Sequence, residues 1–179
     1  VDPITAAVSM VQAIQTIVSR NHYALDDLVI SVTQIHAGSV FNVIPDTAMI
    51  NGTVRTFDPA VQQMVISRLQ AIVDGQAASF GVTATLDYGN GDPATINDPD
   101  CTAFAASVAA DITSCDTTVS RDMGAEDFSY MLEARPGAYL FIGNGDSAGL
   151  HHPKYNYNDE TTAYGATFFA RLIEKALPL

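Results

Sequence analysis

Two histidines stand side by side in the stretch Gly149-Leu150-His151-His152-Pro153, and the whole chain has four. An imidazole on a polar loop, held by a following proline, suits a metal ligand or a general base. It equally suits a surface histidine bonded to a neighbouring carbonyl. A metal centre needs three or four donors, and the chain has no second histidine motif; His22 falls at a helix end and His36 at a strand end, where each reads as structural or solvated. A second candidate group is Asn42 with Arg55. A guanidinium presents a fork of donors that matches a carboxylate, and an amide adds one more. The competing reading pairs Arg55 with Asp46 or Asp58 at the surface. Glu126 and Asp127 follow Met123-Gly124-Ala125; these carboxylates are further candidates, although Asp127 also suits a helix cap.

The elements that must carry these residues are legible from periodicity. Asp2 and Pro3 open a helix whose apolar positions Ile4, Ala7, Val8, Val11, Ile14, Ile17 and Val18 form one stripe over about five turns. Leu28 to Ile35 and Ala48 to Phe57 alternate and are rich in β-branched residues, as strands are. Asp58-Pro59 opens a second helix with Val61, Val65, Leu69, Ile72 and Val73 on one face; Gly81 ends it, and Val82 to Tyr88 reads as a third strand. The order helix, strand, strand, helix, strand is a ferredoxin-like β-α-β-β-α-β unit with its first strand missing. Such a gap leaves unpaired backbone and uncovered core, so the simplest expectation is a natural chain that begins upstream of Val1.

The breaker cluster Gly89-Asn90-Gly91-Asp92-Pro93 divides the chain into segments 1–90 and 91–179. Beyond it, a helix is expected over Asp100 to Ile112, and a tight loop at Met123–Phe128 feeds another that runs to Ala134. Ala138 to Ile142 reads as a short strand buried on both faces. The last helix, Glu160 to Ala176, carries Tyr164, Phe168, Leu172 and Ile173 on a stripe. One strand does not close a domain, so the second segment reads as part of a larger α/β sheet domain.

Composition narrows the functions. A net charge of −12 disfavours a phosphate backbone, so no nucleic-acid partner is expected. No apolar run approaches the roughly 20 residues of a membrane span, so no membrane partner is expected and a cytoplasmic location is, although a removed signal upstream stays open. Cys101 and Cys115, the two cysteines, read as reduced structural thiols.

Five stretches together resemble the dinuclear-metal amidohydrolase family of hippurate hydrolases, indole-acetyl-amino-acid hydrolases and aminoacylases. They are Val1-Asp2-Pro3-Ile4; Ile35-His36-Ala37-Gly38 with Asn42-Val43-Ile44-Pro45-Asp46; Gly52-Thr53-Val54-Arg55-Thr56; Met123-Gly124-Ala125-Glu126-Asp127-Phe128-Ser129; and Leu150-His151-His152-Pro153. They occur in the family's order and span almost the whole chain. The resemblance implies that segment 1–90 is an incomplete lid, or dimerisation, domain. Segment 91–179 is then the C-terminal part of an α/β metallopeptidase-like catalytic domain. It implies that His151 matches the last metal ligand, while His152 occupies a variable position. Asn42 and Arg55, separated by 55 − 42 = 13 positions, match residues that hold the free carboxylate of an N-acyl amino acid, often in a neighbouring subunit's site. Glu126 is implied to line the pocket.

The family's other ligands, its general-base glutamate and a lid histidine have no match in this chain; neither Cys101 nor Cys115 fits the ligand cysteine. No catalytic residue is therefore assigned here. Two divalent ions (Zn, Mn, Co or Ni) are implied for the parent enzyme, and a complete site is not expected in this chain alone. A homodimer through the lid domain is implied as well. The expectation is an inactive fragment of a metal-dependent amidohydrolase. The alternatives are a stand-alone dimerisation or binding module, and a half-enzyme completed by another chain.

Overall fold

A computed structural model describes residues 1–89 and 91–178. The chain divides into two compact units, Val1–Ala94 and Thr95–Leu179. Asn90, where the sequence sets its junction, lies outside the described residues.

The first unit opens with α1 (Pro3–Thr16). The Asp2 carboxylate accepts from the backbone N–H groups of Ile4 and Thr5 at 2.9 and 3.3 Å, satisfying two donors that a helix start leaves unpaired. The expected five-turn helix is shorter by one turn: Ile17–Asn21 widens into a π-helical turn. The Thr16 and Ser19 hydroxyls bond back to the carbonyls of Ala13 and Gln15 at 2.6 and 3.1 Å, competing with the backbone pattern where the ladder changes. β1 (Leu28–Ala37) and β2 (Ala48–Thr56) form an antiparallel ladder from Leu28↔Thr56 to Ala37↔Ala48, with an irregularity at Thr33. α2 (Pro59–Phe80) starts on the Asp58 cap, and Gly81 ends it in the left-handed conformation at φ 65. The two helices run antiparallel. The Ser9 hydroxyl donates to Gln76 at 2.7 Å near one end, and Arg68 donates to Asn21 at 3.3 Å near the other. Their apolar faces and the near half of the hairpin make one core around Ile14, Ile17, Leu28, Val61, Val65, Leu69 and Ile72.

The expected strand Val82–Tyr88 does not join the sheet, which has two strands among the described residues. The segment nonetheless alternates between half-buried and exposed positions, and Leu86 and Tyr88 pack against the core. Among the described residues its side chains thus find the core while its backbone joins no ladder.

The second unit contains α3 (Pro99–Ala110), α4 (Phe128–Ala134) and α5 (Glu160–Ala176). Asp98 caps α3 through the Cys101 N–H at 2.9 Å. Ala105 and Val108 are buried, and Lys175 of α5 reaches Ser107 and Asp111 on α3, each at 3.3 Å. The expected buried strand Ala138–Ile142 forms no strand pairing among the described residues, and Leu140, Phe141 and Ile142 are exposed. A side chain takes a neighbour's place there: Asn97 accepts from the Tyr139 N–H at 2.8 Å and donates to the Tyr139 carbonyl at 2.9 Å. The α5 stripe is also only half used, since Phe168 and Leu172 are partly buried whereas Tyr164 and Ile173 are exposed.

Candidate functional site

His151 sits on the excursion between Asn144 and Asn158. The His152 N–H donates to the Gly149 carbonyl at 3.2 Å, closing a four-residue turn. His151 is the third residue of that turn, and its φ is 64, the one positive value among the described non-glycine residues. That is the position of a type II turn where glycine is favoured, because a Cβ crowds the adjacent carbonyl. The two imidazoles differ in their bonding. The His152 Nδ1 accepts the Lys154 N–H at 3.1 Å, so His152 is part of the turn's own scaffold. The exposed His151 ring makes no hydrogen bond among the described residues.

Glu126 lies in the loop before α4, half-buried between exposed neighbours. Its carbonyl accepts from the Ser129 hydroxyl at 2.6 Å, and that serine is fully buried, which fixes the loop against the helix start. Asp127 occupies the cap position of α4, but its side chain makes no cap bond. Tyr139 stands beside Glu126. Its phenol is pushed up, first by burial, then by the hydrogen bond and charge of Glu126 and the charge of Asp127. The ring is held between Phe128 and Phe141, with centroids 5.6 and 5.5 Å away. The sequence reading missed Tyr139 and its Asn97 clip, for nothing in residue spacing joins positions 97, 126 and 139.

Asn42 and Arg55 are not brought together within one copy. Asn42 is exposed in the loop joining β1 to β2, in a depression that also includes Asp2 and Ile4 at the start of α1. Arg55 is half-buried on β2 and lies opposite Val29, at the other end of the ladder near the core. Arg55 is not without a partner in its surroundings.

Among the described residues no group of three or more His, Cys, Asp or Glu side chains could hold a metal ion. Cys101 and Cys115 are both free thiols. The Cys101 thiol is pushed up, first by its hydrogen bond to Asp98. Among the described residues no helix is long and apolar enough to cross a membrane.

Comparison with known proteins matches residues 4–175 to a family model described as Peptidase family M20/M25/M40. The chain is 38% identical over 170 residues to an N-acetyl-L-cysteine deacetylase of Bacillus subtilis, covering 94% of this chain and 40% of that protein. It is 32% identical over 179 residues to a hippurate hydrolase of Campylobacter jejuni, covering 98% of this chain and 47% of that protein. Among solved structures, a Bacillus subtilis dinuclear metal binding peptidase superposes with a TM-score of 0.79 at 29% identity, covering 99% of this chain and 47% of the other. The chain thus spans less than half the length of these relatives.

Proposed function

Since the chain belongs to Peptidase family M20/M25/M40, we propose that it forms the C-terminal part of a metal-dependent amidohydrolase that cleaves the amide bond of N-acyl amino acids. The observation that carries this reading is the His151 side chain, exposed and unbonded on a turn that holds it in a left-handed conformation. A free imidazole on a preset backbone is what a metal ligand requires. In this reading His151 is one ligand to a pair of divalent ions (Zn, Mn, Co or Ni). Asn42 and Arg55 bind substrate carboxylate, and Glu126 lines the pocket. The pair acts in a neighbouring subunit's site, within a homodimer through the first unit. That unit is the lid domain in this reading, the second is the C-terminal segment of the catalytic domain, and the protein is cytoplasmic.

One imidazole falls short of the three or four donors a metal ion needs, so the described residues do not themselves fit a dinuclear centre. The bound ions would polarise the amide carbonyl and acidify a water. What this chain's residues contribute is position. Arg55 offers a planar fork that fixes a carboxylate, and fixing the carboxylate orients the adjoining amide. The unpaired Val82–Tyr88 segment supports the further reading that an additional strand completes the first unit.

The test is a chimera in which this chain replaces the matching C-terminal portion of the Campylobacter jejuni hippurate hydrolase. The expected result is two bound metal ions per chain, with His151→Ala lowering metal content and His152→Ala leaving it unchanged. Equal metal content in the two variants would overturn the assignment of His151.

A further inference from the structure

We infer that Asn144 is a positioning residue for His151, a role that rests on the reading of His151 as a ligand. Asn144 precedes the excursion that carries His151, and its side-chain amide closes the base. The Asn144 Nδ2 donates to the Asn156 carbonyl at 2.8 Å, and its Oδ1 accepts from the Asn158 N–H, also at 2.8 Å. One side chain thereby reproduces both bonds that a neighbouring strand would make to the returning backbone, with near-ideal lengths.

The surrounding contacts lock this clasp to a rigid element. The Ser147 hydroxyl lies 3.2 Å from the Asn156 carbonyl and 3.4 Å from the Asn156 N–H. The Asn158 Oδ1 accepts from the Glu160 N–H at 3.1 Å at the first turn of α5, and the Asn158 carbonyl accepts from the buried Thr161 hydroxyl at 2.8 Å. Gly145, next to the clasp, turns the chain outward at φ 76, a value that suits glycine.

The physical need for a clasp comes from His151 itself. A non-glycine residue in the left-handed region persists only where its surroundings over-determine it. The turn around His151 is closed by the 3.2 Å bond from His152 to Gly149 and the 2.9 Å bond from Tyr155 to His152. These are internal to the excursion and fix nothing outside it. The connection that orients the tip relative to α5 runs through Asn144 and Ser147. Asparagine suits the role because its amide carries a donor and an acceptor on separate atoms, which meet the Asn156 carbonyl and the Asn158 N–H at once. Aspartate supplies only the acceptor, and alanine neither.

The test is solution NMR of the 179-residue chain. In Asn144→Ala, amide exchange at Asn158 is expected to accelerate at least tenfold, and the His151 Cα and Cβ shifts to lose their left-handed signature. Exchange along α3 and α5 stays as in the parent. Unchanged His151 shifts would overturn the inference. Should Asn144→Ala unfold the second unit, Asn144→Asp serves instead. It is expected to keep Asn158 protected and to give His151 shifts between the parent and random-coil values; parent-like shifts there overturn the inference equally. No metal enters these readouts. A failed clasp leaves the ligand assignment standing, and the metal content of the chimera tests that assignment separately.

Discussion

At the scale of single residues, backbone conformation distinguishes the two adjacent histidines more sharply than chemistry does. His151 carries the positive φ and an unbonded ring, whereas His152 spends its Nδ1 on the Lys154 N–H. The cost of a Cβ in that region is about 1 kcal/mol, and its sign is testable. His151→Gly is expected to be more stable than His151→Ala by about 1 kcal/mol in urea unfolding; both lose the imidazole, so the difference isolates the backbone. Equal stability would mean that the turn relaxes freely. Asp98 gives a second residue-scale prediction. Its carboxyl is held below the ordinary value of 3.8, first by the Cys101 N–H. A carboxyl with a lowered folded pKa stabilises the fold above its unfolded value, and that contribution is lost as pH falls through the folded value. Protection of the α3 amides should therefore fall below pH 3.8, and Asp98→Asn should flatten that dependence. Acid-insensitive α3 exchange in the parent would refute the cap's electrostatic share.

At the scale of elements, the hairpin is built around a close approach. A Cβ on Gly52 would meet the Ser31 carbonyl oxygen at 2.5 Å, beside the Thr33 irregularity. The obstacle is backbone, so it cannot swing aside. Gly52→Ala is expected to destabilise the first unit by about 1–3 kcal/mol, as overpacking does, measured by urea unfolding; a neutral substitution would show that the ladder shifts register. The Val82–Tyr88 segment tests a different point. Its side chains are partly covered while its backbone lacks a ladder, so amides from Thr83 to Tyr88 should exchange far faster than those of β1 and β2. Slow exchange would mean that the backbone is paired in solution. Here the sequence reading recognised alternation correctly and inferred a strand. Alternation reports which face is covered, whereas a strand also needs a neighbour. The same reason applies to Ala138–Ile142, where Asn97 substitutes for a neighbour along one edge.

At the scale of the whole molecule, the candidate residues stay separate from one another among the described residues. The second unit leaves Phe141, Leu150, Phe169 and Ile173 exposed, and the candidate residues of each unit face no assembled set of ligands among the described residues. The purified chain, loaded with Zn, Mn, Co or Ni, is expected to release no glycine from N-benzoylglycine. Turnover free of contaminating enzyme would overturn this. The sequence by itself determined the caps at Asp2 and Asp58, the apolar face of α2, the two paired strands and the family, because capping, periodicity and ordered motifs are local and read along the chain. Only the tertiary structure decided that Val82–Tyr88 and Ala138–Ile142 lack ladders among the described residues. It also decided that Asn144 reaches across to Asn156 and Asn158. Each of these depends on which segments become neighbours in space, and hydrogen bonds between distant positions leave no period in the sequence.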